Sequence, residues 1–145
     1  MAAKEDCEML MNSGVPLAQR ILQQHGEFLP FAAAMRPNGE ITYLGAHDGR
    51  DYQPLFDAQS DLIRALKQVL IAGARRQEYM ATALFYDVGF TVPGQSERAD
   101  AIAISLDHRD GYSVVVLLPY KLENGRAMLD VPRAQAGEAD IFPTN

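Results

Sequence analysis

The 145-residue chain has no tryptophan and a single cysteine, Cys7. One thiol excludes an intrachain disulfide framework and agrees with a reducing compartment. No apolar run approaches the ~20 residues a helix needs to cross a bilayer. The start, MAAKEDCEML, puts acids where a secretory signal needs a basic segment and then an apolar one. The expected location is the cytoplasm. Basic residues are in deficit, 13 Lys and Arg against 19 Asp and Glu, for a formal net charge of −6. A chain so charged repels phosphates and anionic headgroups, so nucleic acid and membrane are set aside and a basic partner fits the charge better. Phosphate loops are missing too: neither G-x-G-x-x-G nor G-x-x-x-x-G-K-[ST] occurs.

What is present is ordinary globular material. Hydrophobic residues at 48% and charged ones at 22% suffice for one core, and the length fits a single domain. Leu10, Leu17 and Ile21 share a helical face within residues 4 to 25. Pro16 either kinks that helix or opens a second one, which would leave a weak N-terminal part, with Cys7 on a fraying helix, and a firmer stretch from 16 to 25. Cys7 has only Lys4 as a basic neighbour, so nothing in the sequence lowers its thiol pKa. Residues 28 to 35 and 41 to 46 flank Arg36-Pro37-Asn38-Gly39, which has the chemistry of a type I turn and predicts a β-hairpin. Asp57 or Ser60 can cap a second helix running to about residue 76, where Leu62, Ile63, Leu66, Val69 and Leu70 form the apolar stripe. Three strand-like runs follow, 79 to 92, 99 to 108 and 112 to 122, joined by short loops into a meander. Residues 123 to 145 mix turn formers with alanine and read as a tail that can dock on a domain spanning 1 to 122.

Side-chain alternation narrows the sheet. Leu29, Phe31, Ala33 and Met35 lie on one side of the first strand, Phe28, Pro30, Ala32 and Ala34 on the other, and neither side is polar. Val114, Val116 and Leu118 against Val115, Leu117 and Pro119 make the last strand equally two-sided. Strands apolar on both faces belong inside a sheet. Placing these two together gives the expected fold: α+β, a five-stranded antiparallel sheet of order 2-1-5-4-3 along the chain, with two helices on one face. Pro30 then marks a bulge at the start of a central strand, or the first strand is an edge and the order differs.

This succession of helix, hairpin, helix and three strands resembles the roadblock and longin-like group of small α+β folds over roughly residues 10 to 122. That resemblance implies the same sheet order and a dimeric scaffold or regulator of small GTPases. GEFLPFAA before a PNGE turn, with LLPY in the last strand, resembles an uncharacterised family of small bacterial α+β proteins, which implies no function.

Chemistry is sparse. His47 with Asp48 and Asp51, and Asp107-His108 with Asp110, are His/Asp clusters able to offer metal ligands. The expected topology puts them at opposite ends of the sheet, so both read as solvated turn residues and no metal or other cofactor is expected. His25 reads as the cation of a helix's last turn. Gly94-Gln95-Ser96-Glu97-Arg98 starts like a nucleophile elbow but joins two strands, and it reads as a hairpin loop. Glu27, Tyr43, Tyr86 and Tyr112 are the candidates for a pocket between helices and sheet; Phe28, Phe31, Val115 and Leu117 are the candidates for an interface. No residue is singled out as catalytic. The expected function is non-enzymatic binding of protein, with self-association into a homodimer or other homo-oligomer, in a scaffold, regulatory or immunity-type role. The alternative is a small-ligand-binding domain or enzyme using the pocket.

Overall fold

A computed structural model of the chain describes residues 3–45, 58–91 and 98–143. Two helices and seven strands follow in the order α1 (Ala3–His25), β1 (Phe31–Met35), β2 (Ile41–Leu44), α2 (Ala58–Arg75), β3 (Ala81–Thr91), β4 (Arg98–His108), β5 (Ser113–Glu123), β6 (Arg126–Leu129) and β7 (Arg133–Ala136). The fold is α+β with an antiparallel sheet, as expected from the sequence.

The first helix is continuous through Pro16. Pro16 and Asn12, whose carbonyl loses its helical donor, both lie on the exposed side, where water can replace the missing bond. The buried stripe is Cys7, Leu10, Gly14, Ala18, Ile21 and Leu22, so the N-terminal turns and Cys7 belong to the core instead of fraying. Gly14 is where the ring of Phe85 meets the helix: an added Cβ would lie 2.2 Å from the ring's Cζ. That ring stacks on Phe31, centroids 4.7 Å apart and planes 9° apart.

The hairpin turn forms as the sequence predicts, with the Gly39 amide donating to the Arg36 carbonyl at 2.8 Å. Pro30 lies just before the first residue of β1, outside the ladder, so β1 needs no bulge and is not an edge. In α2 the buried stripe is narrower than expected: Leu66, Leu70 and Ala74 are enclosed, while Val69 points outward at 47% exposure.

The sheet order differs from the expected 2-1-5-4-3. It runs β2-β1-β3-β4-β5, with β6 and β7 both on the outer edge of β5, seven strands in all. Thus β1 pairs β3, from Phe31 opposite Phe85 to Met35 opposite Ala81, and does not touch β5 in the ladder. The two strands read as interior are both interior, but each fills its second edge differently, β5 with the segment read as a tail. The boundary placed at 122 accordingly falls inside β5.

The β6 and β7 segments behave as one edge strand with a bulge. Leu129 is opposite Tyr120 and Arg133 opposite Leu117, so three residues, 130 to 132, face two, 118 and 119. Pro132, which has no N–H to give, sits in this break.

The helices lie on opposite faces, not on one. β2 and β3 are each antiparallel to β1, hence parallel to each other, and such a pair needs a crossover. The crossover contains α2, which covers Ala32, Ala34 and Leu84; α1 covers Phe31, Ala33, Met35, Phe85, Ile102 and Ile104. A helix on each side is why neither face of β1 is polar. No helix among the described residues is long and apolar enough to cross a membrane.

Candidate functional site

The residues expected to form one pocket do not converge. Glu27 precedes β1 and is partly buried. Tyr43 is on the edge strand β2, 44% exposed, and its hydroxyl donates to the Ser13 carbonyl of α1 at 3.3 Å. Tyr86 packs against the cluster under α2, whereas Tyr112 packs against the cluster under α1. Of the expected interface residues, Phe28 and Phe31 are 1% and 0% exposed, edge to face at 5.9 Å beneath α1, and present no surface. Val115 and Leu117 are partly buried on the opposite side of β5 from Val116 and Leu118.

A cleft of about 300 Å³ instead opens at the β4–β5 turn, with Asp107, His108, Asp110 and Ser113 on one side and Phe142 and Pro143 on the other. His108, expected in solvent, is 4% exposed. Its Nδ1 accepts the Asp110 amide at 3.1 Å, which leaves Nε2 to carry the proton and donate to Asp6 Oδ2 at 3.0 Å. Both ring nitrogens are engaged, and the contact fastens the first turn of α1 to the β4–β5 turn. Among the described residues no His, Cys, Asp or Glu group has a metal-holding arrangement. The His47 cluster and most of the Gly94–Arg98 loop lie outside the described residues.

Asp107 faces the other way and is 3% exposed. Burial pushes its carboxyl pKa up, against the hydrogen bond that Ser113 Oγ donates at 2.8 Å. Beside it in register stands Thr82, whose buried Oγ1 has no hydrogen-bond partner. Cys7 is chemically quiet: burial first, then the charges of Asp107, Asp6 and Glu8, push its thiol up to about 12.

At the far end of the α1 face, Tyr120 donates its hydroxyl to Asp87 Oδ1 at 2.8 Å. Asp107, expected with His108 and Asp110 as a solvated turn residue, is instead enclosed, and the sequence hides Asp87 because an acid in an alternating strand looks like a solvent-facing position; the polar residue inside an otherwise apolar run is the available signal.

Among the described residues the exposed apolar side chains are most concentrated at the β5–β6 hairpin. Leu122, Met128, Leu129 and Val131 are 43%, 53%, 38% and 73% exposed, and all lie in or just after the β5–β6 hairpin. Met9, Tyr43 and Val69 are scattered one to an element. At Ala127 the edge is occupied by α1, since Gln23 Oε1 accepts its amide at 3.0 Å and Gln19 Nε2 donates to its carbonyl at 3.3 Å.

Comparison with known proteins found no family model, no curated protein and no solved structure that matches the chain.

Proposed function

We propose that the chain is a non-enzymatic protein-binding protein that associates with a second copy of itself through the β5–β6 hairpin. The observation that carries this reading is the gathering of Leu122, Met128, Leu129 and Val131 on one corner of the sheet. Leu122 and Leu129 lie on the α1 side of the sheet with Ala127 and Tyr120, and Met128 on the other side with Lys121, so the apolar exposure wraps round the edge at this corner, and apolar side chains exposed together in this way mark an interaction site.

Charge favours a second copy as the occupant. Lys121, Arg126 and Arg133 alternate with Glu123 and Asp130 around the patch, so it is near neutral in a chain of net charge −6. A mixed pattern can meet its own copy across a two-fold axis with each anion facing a cation, whereas a strongly charged partner would favour one sign. Because α1 occupies the edge at Ala127 and Pro132 breaks it further on, the contact is made by side chains and not by a ladder continued between copies. Val115 and Leu117 adjoin the patch through β7, where Gln135 and Arg133 stand opposite them.

Hydrogen exchange at two protein concentrations tests the placement. Amides of residues 126 to 131 are expected to exchange several-fold more slowly at about 100 µM than at about 1 µM, while those of residues 102 to 106 stay unchanged. Exchange at 126 to 131 that ignores concentration contradicts the reading.

A further inference from the structure

Residues 137–143 cross the sheet face that carries α2, and their hold on it is narrow. Glu138, Ala139 and Asp140 are exposed, while Ile141 is 4% exposed and packs in the cluster with Leu66, Leu70 and Leu84. Phe142 packs beside it. Lys67 of α2, itself partly buried, places Nζ 3.0 Å from Asp140 Oδ2 and 3.7 Å from Glu138 Oε2. At the entry, Gly137 lies so near β5 that an added Cβ would come within 2.3 Å of Ser113 Oγ, and the Ala139 amide donates to that oxygen at 3.0 Å. Ala139 adopts φ +54°, a conformation alanine takes only when its surroundings impose it.

The slot under this segment therefore has a definite chemistry: an apolar floor for one aliphatic side chain, an adjoining place for an aromatic ring, and a lysine on the rim for two carboxylates. What fills it is held by one fully buried side chain, a partly buried ring, the Gly137 and Ala139 amides on Ser113 and ion pairs open to water, against the ordering of seven residues. A segment of the same pattern that needs no strained residue competes well for such a slot. We propose that it is a docking groove for an acidic peptide of another protein carrying an aliphatic–aromatic pair, and that residues 137–143 keep it closed until that peptide displaces them. The groove lies apart from the β5–β6 patch and stands or falls independently of it.

The test uses the full chain and a labelled, capped peptide copying residues 137–143, followed by fluorescence anisotropy. The chain's own segment competes in cis at high effective concentration, so the wild type is expected to bind the peptide at least about tenfold more weakly than Ile141→Gly, in which the anchor is gone. Adding Lys67→Glu to Ile141→Gly is expected to cost at least about tenfold in affinity. A folded Ile141→Gly chain that does not bind, that binds no better than wild type, or that ignores Lys67→Glu overturns the proposal. If Ile141→Gly loses the wild-type circular dichroism, Glu138→Ala with Asp140→Ala, both at exposed positions, takes its place, and binding no tighter than wild type is again the contrary result. A wild-type dimer that Ile141→Gly converts to monomer would show exchange of the segment between copies and would overturn the assignment to a foreign peptide.

Discussion

Asp87 stands on the α1 side of β3 opposite Ile102, with the Tyr120 hydroxyl on its Oδ1. Burial, the largest influence, raises its carboxyl from 3.8 to about 6; the Tyr120 bond opposes this and the charges of Asp100 and Glu27 add to it. Between those two values the folded chain holds a proton that the unfolded chain has released, so this group's contribution to stability falls as pH rises through the window. Asparagine keeps an acceptor for Tyr120 and has no charge to bury. Asp87→Asn is therefore expected to gain about 1 kcal/mol at pH 7, the full shift being discounted because the carboxyl still meets water. It is also expected to flatten the pH dependence between about 4 and 6. Urea midpoints across that range are the measurement, and a loss of stability at pH 7 is the contrary outcome.

At the scale of elements, α1 is tied down at its start by His108 and at its end by the two glutamines on Ala127. His108→Ala removes a buried ring and leaves the Asp6 carboxylate to water. It should cost about 2 kcal/mol in urea unfolding. Amide exchange in residues 3 to 10 should quicken more than in 18 to 25; equal quickening along the helix would mean that the histidine does not act as a local fastening. Such long-range ties are what the sequence conceals. The second helix and the turn at 36–39 were legible because period and turn chemistry are local. Interior status was legible for β1 and β5, since Phe31 to Met35 and Val114 to Pro119 are apolar on both sides, but the neighbour was not, because two-sided apolarity is the same whichever strand lies alongside. The strands at 126–129 and 133–136 are too short, and too mixed in residue type, to carry a strand signal of their own, and the edge of β5 orders them. Pro16 suggested a break that the exposed side of α1 absorbs.

The described residues form a sheet with α1 on one face and α2 with residues 137–143 on the other, and four of their seven large exposed apolar side chains lie at one corner. The expected pocket of Glu27 and three tyrosines was not legible as separate places because residue type does not report which face of which strand a side chain occupies. Two copies of net charge −6 repel at long range, so association through the near-neutral corner should strengthen with salt. The central claim is self-association through that corner, and light scattering coupled to size exclusion measures it most directly. The wild type is predicted to reach twice the 16.0 kDa of one chain at tens of micromolar, and Met128→Glu with Val131→Glu, at exposed positions, to remain at 16.0 kDa with unchanged circular dichroism. A wild type that stays at 16.0 kDa throughout, or a dimer indifferent to the double substitution, would contradict it.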